Sequence, residues 1–118
     1  MSETYKRLTI FSDLEELAFY GFPDFDDEQR KTYFTFEEQE WKIISKCQSL
    51  PARIHCALQM GYFKAKKFFF QFSLSRVPSA DVRFILSTYF QNQKLEIFNI
   101  TKHEYYMQQQ EICHLFEY

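Results

Sequence analysis

Two glycines, Gly21 and Gly61, are all that this 118-residue chain contains, and that scarcity limits what it can fold into. A β-sandwich needs glycine in its tight turns, and a dinucleotide-binding α/β unit needs it in the phosphate loop, so both are disfavoured. The chain is instead rich in rings: 15 Phe, 8 Tyr and 1 Trp make up 20% of it. Each buried ring removes roughly 150–250 Å² from water, so a short chain can build a core from helices carrying large plugs. The expectation is an all-α fold, a compact bundle of about six helices, forming one domain over residues 1–118.

Ordinary apolar content (46%) and a net charge of −2 exclude an intrinsically disordered chain. No apolar run approaches the roughly 20 residues that cross a bilayer. The opening MSETYKRLTIFSD is polar and acidic, unlike a secretory signal, so the expected location is cytoplasmic with no membrane partner. Cys47, Cys56 and Cys113 are odd in number and read as reduced, mostly buried thiols.

Helix start signals recur. Ser12-Asp13-Leu14-Glu15 is a capping box, and the helix it opens ends at Gly21 and Pro23. Asp26 caps a short second helix running to about Tyr33. Thr35-Phe36-Glu37-Glu38 reads as the next box, with Phe36, Ile43, Ile44 and Cys47 on one face. Ser49 caps a fourth helix, with Pro51 in its first turn, where a missing N–H costs little. There Ile54, Ala57, Leu58, Gly61 and Tyr62 keep helical spacing while Cys56, Met60 and Phe63 add a second apolar flank. This should be the most buried helix, with Gly61 admitting a close neighbour. The stretch 68–72 is ambiguous between helix end, extended chain and short strand. Pro78 or Ser79 opens a fifth helix, whose Val82, Ile85, Leu86 and Tyr89 share a face. Residues 91–100 read as a loop, and Thr101-Lys102-His103-Glu104 starts a last helix reaching about Phe116.

The net charge hides a segregation. Residues 1–40 hold eleven acids and four bases; residues 41–94 hold nine bases and a single acid, Asp81. A basic stretch can attract polyanions even in an acidic chain, because the local field decides. Pairing of acidic and basic helices within the fold explains the same pattern equally well.

No other chemistry has comparable support. His55-Cys56 and Cys113-His114 lack the short C-x₂₋₄-C or H-x₃₋₅-H spacing of structural zinc, so no metal is expected. The acids at Asp24–Glu28 and Glu37–Glu40 sit in helix first turns, where the dipole favours negative charge. Nucleophile elbows and phosphate loops are missing, so neither catalytic residues nor a cofactor are expected. The basic candidates are Lys46, Arg53, Lys64, Lys66, Lys67, Arg76 and Arg83. They cluster at the ends of helices joined by short connections, an arrangement that can track a phosphate backbone. The phenylalanines at 68–70 present faces for single-stranded bases, although a run of this kind more often fills a core.

The residues also carry a resemblance. The order Leu8-Thr9, Ser12-Asp13, Tyr33-Phe34, Arg53-Ile54-x-x-Ala57-Leu58-Gln59-Met60-Gly61, Val77-Pro78 and Ile112 resembles the N-terminal domain of Tn3-family transposases. Its most specific element is the Arg53–Gly61 helix, followed by a Val-Pro helix start. The resemblance implies an all-α, partly helix-turn-helix-like domain that binds double-stranded DNA at the terminal inverted repeats of a transposon. It also implies that transposition chemistry resides in a separate domain. The chain then reads as a truncated or stand-alone recognition fragment without enzymatic activity. Ala57, Leu58 and Gly61 would serve packing and Gln59 a structural role, while Arg53 is either a polar anchor or a DNA contact. The chain departs from its relatives where they carry a basic run, having Tyr105-Tyr106 and Gln108-Gln109-Gln110 instead. An alternative is a protein-interaction module that regulates transposition by pairing with transposase or with itself, through aromatic surface at 68–72 or 116–118.

Overall fold

A computed structural model of the protein describes residues 22–67, 69, 72, 74–95 and 100–117. Five α-helices run through the described residues: α1 (Asp27–Tyr33), α2 (Glu38–Lys46), α3 (Leu50–Lys66), α4 (Ser79–Tyr89) and α5 (Lys102–Phe116). A 3₁₀ turn at Leu74–Arg76 precedes α4, and none of the described residues is in a strand. The fold class is all-α. The helix expected to start at Ser12 lies outside the described residues, as do residues 96–99 of the expected loop at 91–100.

Three of the expected caps form. The Asp26 carboxylate accepts the Gln29 N–H at 2.8 Å while the Gln29 side chain accepts the Asp26 N–H at 2.9 Å. Ser49 Oγ accepts the Ala52 N–H, and Thr101 and Glu104 bond reciprocally at 3.1 and 2.9 Å. The box expected at Thr35 does not form. The Thr35 hydroxyl turns back and donates to the Lys31 carbonyl of α1, and α2 begins two residues later than that box implies. Glu37 is the N-cap, and its N–H donates to the Glu40 side chain at 2.9 Å.

Helix α3 packs against α1, α2, α4 and α5 and so forms the centre of the fold. From Pro51 to Phe63 every residue but Arg53 is buried, as its two apolar flanks require. Around it lie Phe25, Phe34, Ile44, Ile85 and Ile112. Phe34 sits directly over Gly61: a methyl group there would come within 2.3 Å of the ring. The glycine thus lets the α1–α2 corner approach the central helix, at the cost of about 1 kcal/mol of helix propensity.

The ambiguous phenylalanine stretch contributes to the core wherever it is described. Phe69 stacks on Phe63 with centroids 4.4 Å apart, and Phe72 stacks on His55 at 4.4 Å. Phe68 and Phe70 lie outside the described residues.

Candidate nucleic-acid interface

The basic candidates divide by what their charges meet. Lys64, on the last turn of α3, has its ammonium 3.0 Å from the Thr35 carbonyl and 3.3 Å from the buried Glu40 carboxylate. It also lies 5.0 Å from the centroid of the Phe36 ring, so it staples α3 to the α1–α2 connection. Arg53 Nε donates to the Cys47 carbonyl at 2.8 Å, closing the α2–α3 turn. Of the two roles open to Arg53, the polar anchor within the fold is the one seen. Lys46 reaches across to Glu111 of α5 at 2.8 Å on the surface. Lys66 is half-buried, and desolvation holds its ammonium below the ordinary lysine range.

Lys67, Arg76 and Arg83 are exposed and form no ion pair among the described residues. They follow one another from the end of α3, through the 3₁₀ turn, to α4. Lys67 ends α3 with a left-handed backbone, φ 67°, and its N–H donates to the Phe63 carbonyl at 2.7 Å. Glycine is the usual residue in that conformation, and a lysine there carries strain of about 1 kcal/mol. Lys94, just beyond α4, is likewise exposed and without an ion pair among the described residues. Sequence reasoning missed it because the loop around it offers no periodicity.

Asp81 explains why this region has so little negative charge at its surface. It is only 1% exposed, and both of its oxygens are bonded within the fold. Arg30 Nε of α1 donates to Oδ1 at 2.8 Å, and the Tyr62 hydroxyl of α3 donates to Oδ2 at 2.6 Å. Arg30 also pairs with the exposed Asp27 at 2.9 Å. Burial and the neighbouring carboxylate push the Tyr62 phenol far above its usual range, so it stays a donor. The single acid of residues 41–94 is therefore enclosed between three helices.

A second buried network joins α3 to α5. The Gln108 amide nitrogen donates to the Ala52 carbonyl at 3.1 Å, which fixes its oxygen toward His55 Nδ1 at 2.9 Å. The other ring nitrogen of His55, Nε2, lies 3.4 Å from the Phe72 carbonyl. Burial lowers its pKa, so the neutral ring is the native form. Gln59 is 2% exposed, and neither atom of its amide finds a partner among the described residues. It lies inside the fold, where it cannot contact DNA.

Among the described residues, no three His, Cys, Asp or Glu side chains gather to hold a metal ion. No helix there is long and apolar enough to cross a membrane. The aromatic surfaces expected for protein interaction are in part internal: Phe69, Phe72 and Phe116 pack against the core. Among the described residues the large exposed apolar side chains are instead Tyr106 and Met107 of α5, about half exposed at 48% and 46%.

A family model described as a domain of unknown function, DUF4158, matches residues 10–118. The chain belongs to the DUF4158 family. No curated protein and no solved structure matches it. The DUF4158 match covers all five described helices and both buried networks.

Proposed function

We propose that this DUF4158 domain is a non-catalytic module that binds double-stranded DNA, derived from recognition of transposon ends. The supporting observation is the distribution of charge around α3 and α4. Lys67, Arg76 and Arg83 are exposed and without ion pairs among the described residues, while the one acid of that stretch is buried against Arg30. Such cations neutralise phosphates and release counterions. The strained lysine at position 67 agrees with this reading, because stability alone would favour glycine there. The resemblance to the N-terminal region of Tn3-family transposases supplies the DNA class: the terminal inverted repeat.

Within this proposal the seven basic candidates have different tasks. Lys67, Arg76 and Arg83 contact phosphates first. Lys46 and Lys66 add positive field. Arg53 and Lys64 hold the α2–α3 turn and the α1–α2 connection in place, so their removal acts through the fold. Strand-transfer chemistry belongs to a different domain.

Binding of labelled duplexes tests this proposal. One duplex carries the terminal inverted repeat of the neighbouring element and the other a scrambled version. Tighter, salt-sensitive binding to the repeat supports end recognition. Equal, salt-sensitive binding to both reduces the function to general DNA binding. Absence of binding at low salt overturns the proposal and turns attention to a protein partner at Tyr106 and Met107, where an exposed apolar pair favours such contact.

A further inference from the structure

Helix α4 ends in a turn that carries three consecutive primary amides, Gln91, Asn92 and Gln93. Phe90 before them is buried, whereas these three and the following Lys94 are all exposed. Gln91 and Asn92 both take the left-handed backbone, φ 57° and 58°. The turn is pinned from within: the Asn92 N–H donates to the Leu86 carbonyl at 3.0 Å, and the Gln93 N–H to the Phe90 carbonyl at 3.1 Å. Asparagine tolerates this conformation, but glycine is its usual occupant and a glutamine there is strained. Residues held in such strain cluster at ligand-binding sites. No hydrogen bond or ion pair among the described residues engages the side chains of Gln91, Asn92 or Gln93. Their amides therefore meet solvent from a fixed backbone. The exposed Ser79, Arg83 and Ser87, spaced four apart on α4, lead to this turn from the exposed Arg76. With a rise of about 1.5 Å per residue, the turn starts roughly 10 Å beyond Arg83 along the helix axis.

We infer that this turn reads sequence: the amides of Gln91, Asn92 and Gln93 enter the major groove and bond adenine, while Lys94 meets an adjoining phosphate. The inference rests on the DNA-binding proposal above and assigns its specificity, which the exposed cations cannot supply. Phosphate contacts position a protein on a duplex but carry no sequence information. A primary amide donates an N–H to adenine N7 and accepts from the adenine N6 amino group, a bidentate match in the major groove. Guanine would set its O6 against the amide oxygen, acceptor facing acceptor. Each such pair discriminates against the wrong base by roughly five- to 150-fold. Because the amides are uncharged, they add this discrimination without steepening the salt dependence.

Fluorescence anisotropy with the whole chain tests the inference on three duplexes: the inverted repeat, its scrambled version, and a repeat whose adenines are replaced by 7-deazaadenine. That base pairs normally but lacks the N7 acceptor. Wild type should prefer the repeat and lose at least about fivefold in affinity on the 7-deazaadenine repeat. The variant combines Gln91→Gly, Asn92→Gly and Gln93→Ala, since glycine suits the left-handed backbone. It should bind the scrambled duplex as wild type does, keep the salt slope, and lose both the preference for the repeat and the response to 7-deazaadenine. The wild-type measurement needs no substitution and so decides the matter even if the variant unfolds. A wild type that binds DNA but ignores 7-deazaadenine, or a folded variant that discriminates as well as wild type, overturns the inference and leaves the DNA proposal standing. A variant weakened equally on repeat and scrambled duplexes also overturns it, marking the turn as a backbone contact. Absence of wild-type binding overturns the DNA proposal itself, and this inference with it.

Discussion

Replacing Gly61 with alanine sets two physical effects of opposite sign against each other. In an unobstructed helix interior the change would stabilise the protein by about 1 kcal/mol through backbone entropy. Here the added methyl would lie 2.3 and 2.4 Å from two Phe34 ring carbons and 3.1 Å from the Tyr33 carbonyl oxygen. Ordinary carbon–carbon contact is about 3.5–4 Å, so the ring must retreat by more than roughly 1 Å. It has no room to do so. Phe34 is fully buried, with Phe25, Tyr62 and Phe84 around it at centroid distances of 5.6, 5.7 and 6.3 Å. Overpacking of this kind costs about 1–3 kcal/mol, and the rigid neighbours place this case near the upper end. After the propensity gain, Gly61→Ala should be destabilised by about 2 kcal/mol in urea denaturation followed by far-UV circular dichroism. Shortening the ring in Phe34→Leu should recover more than about 1 kcal/mol of that loss in a double-mutant cycle. A Gly61→Ala protein as stable as wild type would refute the close approach.

Three other outcomes follow from the buried networks and the α3 terminus. Asp81→Asn leaves the Arg30 charge without its buried counterion and should lower stability by about 3 kcal/mol; a loss below about 1 kcal/mol in urea titration would show the pair to be dispensable. His55 has a folded pKa below its unfolded value, so the unfolded chain binds more protons as pH falls. The stability this contributes is present above about pH 6.5 and is lost below it, with a slope of up to about 1.4 kcal/mol per pH unit. Unfolding curves between pH 7.5 and about 5 should therefore steepen in wild type relative to His55→Gln, and identical pH profiles would contradict the neutral buried ring. Lys67→Gly relieves the left-handed backbone and should raise stability by about 1 kcal/mol while weakening DNA affinity. Loss of stability in that variant would contradict the strain, and unchanged affinity would remove Lys67 from the phosphate contacts.

The extent to which these features could be read from the sequence depended on how local their causes are. The caps at Asp26, Ser49 and Thr101 were legible because cap and helix lie within four residues. The burial of α3 was legible in its two apolar flanks, and the close approach at Gly61 in a glycine placed mid-helix. The start of α2 was misread because Thr35-x-x-Glu38 fits the capping-box pattern, whereas Glu37, which caps the helix, is not a preferred N-cap type. Only the fold reveals that the Thr35 hydroxyl bonds back into α1. The Arg30–Asp81 pair spans 51 residues and leaves no local trace, since Asp81 looks like any acid in a helix first turn. For the same reason Arg53 and Lys64 could not be separated from the exposed cations by residue type. Their partners are a backbone carbonyl and a buried carboxylate supplied by neighbouring elements.

The DNA-binding proposal is tested most directly by fluorescence anisotropy of a labelled inverted-repeat duplex at roughly 50 and 200 mM salt. The comparison is wild type against a triple variant, Lys67→Gln, Arg76→Gln and Arg83→Gln, with circular dichroism showing that both are folded. Wild type should bind with strong salt dependence. The triple variant should bind more weakly to every sequence, with a log–log salt slope shallower by about 0.9 for each phosphate no longer neutralised. Absence of wild-type binding at the lower salt, or an unchanged slope in the folded triple variant, would contradict it.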